Sequence, residues 1–152
     1  LMNKLKERRA DNKGFSLVEL IIVIAIMAIL VGIVGTQVVP YLNRSREAKD
    51  VQLINSYSTA AMTAYSSNAD KVAGTGTITV NVYGTNANAD SATLATAIKE
   101  LVSYADAPAL QGKMSSTTGK NVTDIQVVYD FNAHTITTTA LGTTLDPVNA
   151  DL

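Results

Sequence analysis

An almost unbroken apolar stretch dominates the first third of the chain. Residues 15–39 are interrupted only by a few small or polar positions, and the part from 20 to 34 has no polar face. As a helix this stretch is about 38 Å long, at roughly 1.5 Å per residue, and a hydrocarbon core is about 30 Å thick. A helix that is apolar on all sides is buried in lipid or in a large protein core. The rest of the chain cannot supply such a core, so the pattern predicts a membrane span.

After Pro40 the pattern becomes amphipathic, with apolar residues at spacings of three and four. This spacing predicts that the helix continues to about Ser67 and packs one stripe on a sheet. Arg46 and Asp50, four residues apart, are predicted to pair on the solvent side. The predicted stripe consists of Val51, Ile54, Tyr57, Ala61 and Tyr65.

Residues 69–152 are rich in threonine and short of charge, which is typical of strands and turns. Strict alternation predicts a strand at 77–83, and a hairpin joins 125–131 to 135–140 around residues 132–134. Ser91 is predicted to cap a helix that reaches about Tyr104 and is ended by Ala107-Pro108. The predicted fold class is α+β, with one long N-terminal helix packed on a small antiparallel sheet.

Charge is unevenly distributed. The leader, residues 1–14, carries five bases and two acids, whereas the remainder is mildly acidic with seven bases and eleven acids. Positive residues before the span predict a cytoplasmic N-terminus and an extracellular remainder. An acidic remainder without clustered bases is not that of a nucleic-acid-binding domain.

Side chains for catalysis or metal binding are scarce. The chain has no cysteine and a single histidine, His134, which excludes disulfides, thiolate sites and multi-histidine sites. His134 near Asp130 is interpreted as a solvated turn residue, and the separate aspartates lack the spacing of a calcium loop. We therefore predict no enzymatic activity, no metal and no cofactor. The separate aspartates are Asp90, Asp106, Asp124 and Asp146.

Two features do not fit an ordinary membrane anchor. Glu19 lies inside the apolar stretch, where a charge near mid-bilayer costs roughly 2–4 kcal/mol unless it has a partner or reaches the headgroups. Gly14 precedes the apolar stretch, whereas a secretory signal is cleaved after it. Cleavage between Gly14 and Phe15 would keep the helix on the mature protein. It would also free an α-amine four residues from Glu19.

The segment from Lys13 to Leu20, KGFSLVEL, resembles the class III signal of type IV prepilins and pseudopilins, and residues 21–30 resemble the membrane segment of that family. The resemblance covers residues 13–39. It implies cleavage after Gly14 by a prepilin peptidase, which also N-methylates Phe15. It further implies that Glu19 pairs with the N-terminal amine of a neighbouring subunit during assembly.

The sequence departs from the family pattern around Thr36, where many pilins have a helix-kinking proline. Here the proline is Pro40, one turn later, and Gly32 and Gly35 precede it. Proline removes a backbone hydrogen bond and glycine weakens a helix by about 1 kcal/mol. We therefore predict a flexible stretch from Gly32 to Pro40. The disulfide common in pilins is also missing.

The predicted organisation is a leader at 1–14, a transmembrane and assembly helix at 15–39, an amphipathic continuation at 40–68 and an extracellular β-rich part at 69–152 packed on that continuation. The resemblance implies a homopolymer, with a prepilin peptidase, an assembly platform and its ATPase as partners. The subunit would cross the bacterial cytoplasmic membrane once and then enter a surface filament.

Three hypotheses remain from the sequence. The first is a pilin of a surface filament, and the second is a pseudopilin of a type II secretion or DNA-uptake apparatus, with nucleic acid involved only indirectly. The third is an unrelated membrane protein that crosses the bilayer once and carries an extracellular binding domain.

Overall fold

The computed structural model describes Gly14 and residues 16–152. The chain forms two compact units, Leu1–Leu42 and Asn43–Leu152. Helical backbone runs without a break from Leu17 to Ser67, so the helix contributes residues to both units. The predicted end of the helix, about Ser67, is confirmed.

The first unit is helical wherever the structure describes it beyond Ser16. Helix α1 spans Leu17–Ile33, a π-helical turn follows at Val34–Val38, and helix α2 begins at Val39. No residue of α1 is buried, although nearly all are aliphatic. The helix is long and apolar enough to cross a membrane.

The π-helical turn ends at Val38, two residues before Pro40. Proline has no N–H to donate to Thr36, four residues back, and its ring crowds the preceding turn. Widening that turn accommodates the ring without ending the helix. The Thr36 hydroxyl donates to the carbonyl oxygens of Gly32 and Ile33 at 3.0 and 3.4 Å. The stretch from Gly32 to Pro40 is thus helical but irregular, and its flexibility stays a prediction.

The second unit contains the remainder of α2, which spans Val39–Ser67, and a four-stranded antiparallel sheet. The strands β1 (Thr77–Asn81), β2 (Asp124–Asp130), β3 (Thr135–Leu141) and β4 (Val148–Asp151) are ordered as in the sequence. Helix α3 (Ala89–Leu101) lies against β1, and a short helix α4 (Ala107–Gln111) and a 3₁₀ turn (Gly119–Asn121) connect α3 to β2.

One apolar core holds this unit together. Ile54, Tyr57 and Ala61 of the predicted stripe are fully buried, and Val51 and Tyr65 are half-buried. The Tyr129 hydroxyl on β2 donates to the Ala61 carbonyl oxygen at 2.7 Å, which joins the sheet to the helix. The predicted α+β fold, with a long helix on a small antiparallel sheet, is confirmed, and so is the β2–β3 hairpin.

The prediction for α3 was wrong at both ends. Asn88 is the N-cap and Ser91 is the third helical residue, and the two side chains bond reciprocally to each other's backbone N–H. The helix ends at Leu101, short of Tyr104. Ala107 and Pro108 begin α4 instead of ending α3, because proline is tolerated in the first turn of a helix.

Two further features were mispredicted or missed. Strand β4 has only four residues, none of them buried, so its periodicity was too short to detect. The predicted solvent-side pair of Arg46 with Asp50 is wrong because Asp50 is 1% exposed and bonds within the unit.

Candidate assembly site

The first turn of α1 places Glu19 in a capping box with Ser16. The Glu19 carboxylate accepts from the Ser16 N–H at 2.8 Å, and the Ser16 hydroxyl accepts from the Glu19 N–H at 3.2 Å. The first N–H groups of a helix have no partner inside the helix, and this exchange satisfies two of them. The negative carboxylate also faces the positive end of the helix dipole.

The capping box gives Glu19 a structural role that the sequence reasoning missed. The signal was present in the sequence, because Ser16-Leu17-Val18-Glu19 has the spacing of a capping box ahead of an apolar run. A cap of this kind stabilises a helix by about 1 kcal/mol. One carboxylate oxygen is occupied by the Ser16 N–H, and the carboxylate remains exposed.

The other predicted site residues lie along the same helix. Gly14 is exposed, and Phe15 lies outside the described residues, so the predicted cleavage and methylation site has no described geometry. Gly32 and Gly35 are helical and exposed, and a Cβ atom at either position would have no other group within 4 Å apart from the helix's own backbone. Pro40 occupies the first turn of α2.

Apart from Glu19, α1 presents a continuous apolar surface. Leu17 is 74% exposed and Val31 is 69% exposed, and the aliphatic residues between them are similarly accessible. At about 25 cal/mol per Å², so much apolar surface in water is strongly unfavourable. The helix therefore requires lipid or other apolar helices around it.

Residues 9–35 match the family model of the prokaryotic N-terminal methylation motif. That motif is the class III signal peptide of type IV pilins and pseudopilins. The chain carries a class III signal peptide. The match spans the Gly14-Phe15 junction, Glu19 and most of the apolar helix.

The motif, together with the exposed apolar helix, supports a type IV pilin-like or pseudopilin protein. It indicates a structural protein and not an enzyme, and it fits insertion into a membrane followed by assembly into a filament. No curated protein and no solved structure matches the chain. The match gives no support to an unrelated membrane protein.

In the second unit the charged group with the most internal bonds is Asp50. Its carboxylate accepts from the N–H groups of Ser115 and Ser116 at 2.7 and 2.8 Å and from the Ser116 hydroxyl. The Ser116 hydroxyl in turn accepts from the Gly119 N–H at 2.8 Å. A carboxylate held by successive backbone N–H groups ties the loop after α4 to α2. Sequence patterns carry no sign of this contact, because 65 residues separate its partners.

The tyrosines of this unit belong to its core. The Tyr57 and Tyr83 hydroxyls hydrogen-bond each other, and Tyr83 donates to the Tyr104 carbonyl oxygen at 2.9 Å. Burial, followed by the bond to Tyr83, raises the pKa of Tyr57 far above its ordinary value. Burial alone raises the pKa of Tyr129 as well. At neutral pH these hydroxyls stay protonated. The Tyr129 hydroxyl joins the sheet to α2, and the Tyr57 and Tyr83 hydroxyls join α2 to the segments that follow β1 and α3.

The remaining candidate residues have local structural roles. His134 adopts a positive φ of 56° in the β2–β3 turn, and the Asp130 carboxylate accepts from two N–H groups of that turn, both at 3.0 Å. Asp106 caps α4, and Asp124 accepts from the Tyr83 N–H. Within the described residues, no three potential metal-binding side chains lie close enough together to hold an ion.

Proposed function

We propose that this chain is the precursor of a structural subunit of a type IV pilus-like surface filament. The observation that carries the proposal is the fully exposed apolar helix with a single carboxylate, Glu19, in its first turn. Cleavage after Gly14 would leave that helix on the mature subunit, with Phe15 as the methylated N-terminal residue. The proposed partners are identical subunits, the prepilin peptidase, the assembly platform and its ATPase.

The physical argument concerns the carboxylate. When membrane helices bundle in a filament, a carboxylate without a cationic partner costs several kcal/mol. The Ser16 N–H neutralises none of that charge, because it is a dipole. The Phe15 amine of an adjacent subunit carries a full positive charge and would offset the cost. The same ion pair would fix the axial position of each new subunit.

The capping box makes this proposal testable with three variants. Glu19→Gln keeps a side chain that can complete the capping box but removes the charge. Glu19→Ala removes the capping side chain and the charge. Ser16→Ala loses the cap, at about 1 kcal/mol, but keeps the charge. We expect both Glu19 variants to abolish filaments and Ser16→Ala to retain them. Filaments would be counted by electron microscopy in cells lacking the wild-type subunit.

Immunoblots of membranes would confirm that each variant is inserted and cleaved. Normal filament numbers from Glu19→Gln, with loss in Glu19→Ala, would show that Glu19 acts only as a helix cap and would refute the ion-pair proposal. Intact-mass measurement of the filament subunit should give a chain that begins at Phe15 and carries one added methyl group.

The alternative is a pseudopilin of a type II secretion or DNA-uptake apparatus. Pseudopilins share the N-terminal motif. A pseudopilin assembly would therefore differ from a surface filament in its amount and location but not in its N-terminal helix. A mature chain abundant in material sheared from the cell surface supports the surface filament. A mature chain confined to the cell envelope supports the pseudopilin.

A further inference from the structure

Tyr41 differs from the other tyrosines of the chain. Its side chain is 71% exposed, whereas the other five tyrosines are buried or half-buried in the second unit. The hydroxyls of Tyr57, Tyr83 and Tyr129 form hydrogen bonds inside that unit. Within the described residues the Tyr41 hydroxyl has no such bond, and its ring contacts no other aromatic ring. Tyr41 is therefore an aromatic side chain whose surroundings must come from outside its own chain.

The position of Tyr41 along the helix points to lipid. Residues 20–43 carry no charge, and Arg44 is the next charged residue after Glu19. Between Glu19 and Tyr41 the helix rises by about 33 Å, at roughly 1.5 Å per residue. The hydrocarbon core of a bilayer is about 30 Å thick. A helix that crosses this core with Glu19 at one interface therefore places Tyr41 at the other interface.

The chemistry of an exposed tyrosine suits this location. The ring is apolar and the hydroxyl is polar, so the ring can contact acyl chains while the hydroxyl reaches lipid carbonyl groups and water. Tyrosine and tryptophan are enriched at both membrane interfaces for this reason. The polar groups before Tyr41 agree with this depth. The Thr36 hydroxyl, one turn further into the lipid, donates to the Gly32 carbonyl oxygen at 3.0 Å and so needs no partner from outside the helix.

We propose that Tyr41 binds the lipid headgroup interface on the outer side of the membrane and fixes the depth at which the unassembled subunit is held. Glu19 then lies at the inner interface, where water and the capping box surround its carboxylate. The cost of a carboxylate without a cationic partner arises only when the subunit leaves the lipid for a helix bundle. The inference goes beyond the proposed function, because it requires a membrane-spanning helix and no filament.

The first test measures the depth of residue 41. The chain has no tryptophan, so Tyr41→Trp introduces a single indole, of a residue type that also favours the interface. The full-length chain would be added to vesicles of phosphatidylethanolamine and phosphatidylglycerol that carry a nitroxide quencher either at the headgroup or at the middle of the acyl chain. Ile29→Trp and Thr59→Trp, at exposed positions of the same continuous helix, are the controls. We expect the headgroup label to quench Tyr41→Trp most, the mid-chain label to quench Ile29→Trp most, and only aqueous iodide to quench Thr59→Trp.

The second test asks whether Tyr41 fixes that depth. The chain has no cysteine, so Asn43→Cys adds a single thiol just beyond Tyr41, and a maleimide that cannot cross membranes reacts with it only from water. Tyr41→Leu lengthens the apolar segment, so the helix should settle deeper and the thiol should react severalfold more slowly. Tyr41→Trp should preserve the rate, and so should Val39→Leu, the matched control that replaces one apolar residue with another. Equal rates in detergent would show that the thiol itself is unchanged.

Three outcomes would overturn the proposal. The first is maximal quenching of Tyr41→Trp by the mid-chain label or by iodide. The second is an unchanged rate in Tyr41→Leu, which would show that the depth does not depend on the tyrosine. The third is quenching that changes with the protein-to-lipid ratio, which would assign Tyr41 to a contact with a second copy of this chain. A subunit that behaves as expected in vesicles but forms no filaments in cells would refute the proposed function and leave this inference intact.

Discussion

The two units use the same kinds of apolar residue in opposite ways. In the first unit Leu17 and Val31 are mostly exposed, whereas in the second unit Ile54 and Leu94 are fully buried. The second unit supplies its own apolar surroundings, and the first must obtain them from lipid or from neighbouring helices. An apolar surface that no other part of the same chain covers indicates where the chain functions. Here that surface is the N-terminal helix.

Their carboxylates differ in the same way. Glu19 is exposed and accepts one hydrogen bond from its own helix turn, whereas Asp50 is buried and accepts three from a distant loop. Asp50 finds its hydrogen-bond partners within one chain, so it contributes to the stability of the second unit. Glu19 keeps capacity for a further partner, which supports the proposal that Glu19, and not Asp50, acts in assembly.

Separating the two units is the most direct test of this contrast. A chain that begins at Asn43 should be a soluble, folded monomer, because the core residues of the second unit all lie beyond that point. Sedimentation and circular dichroism would measure its state. A fragment that precipitates or forms obligate oligomers would show that the second unit also requires the apolar helix, and the contrast between the units would fail.

The N-terminal helix and its motif were predictable from the sequence because their signal is local. A long apolar run, a glycine before it and a glutamate at a fixed offset are all read from adjacent residues. The β2–β3 hairpin was likewise predictable from alternation around a short turn. Asp50 was mispredicted because helical spacing reports only neighbours on one helix, whereas its partners come from a loop far along the chain.

Removal of the Asp50 carboxylate tests whether polar contacts hold the second unit together. Asp50→Ala would leave the Ser116 N–H and hydroxyl buried without their acceptor, so we expect a loss of about 2–4 kcal/mol in the free energy of unfolding. Urea unfolding of the fragment would measure it. Asp70→Ala, at an exposed carboxylate, should change stability by less than about 0.5 kcal/mol. Equal effects from both substitutions would contradict the assigned role.

Alkaline pH tests the buried tyrosines without a substitution. Burial raises the pKa of Tyr57 and Tyr129 above the ordinary value of 10.0, so the unfolded chain loses these protons first as pH rises. The folded state is then the one that binds more protons, and stability falls above pH 10.0 by up to about 1.4 kcal/mol per pH unit for each tyrosine. Unfolding of the fragment should show no such slope below that pH. Tyr129→Phe should reduce the slope.

The smallest expected effect concerns a buried hydroxyl without a hydrogen-bond partner in the second unit. Thr138 is fully buried on the inner face of β3, and its hydroxyl has no hydrogen-bond partner among the described residues. A buried hydroxyl without a partner is unfavourable, and valine has nearly the same shape, so Thr138→Val should stabilise the fragment by about 1 kcal/mol. The adjacent Thr137 lies on the outer face and donates to the Asn149 side-chain oxygen at 3.0 Å. Thr137→Val should therefore be neutral or slightly destabilising, as measured by thermal unfolding. A loss of stability in Thr138→Val would contradict this prediction. It would show that water enters the core of the second unit and hydrogen-bonds to the Thr138 hydroxyl.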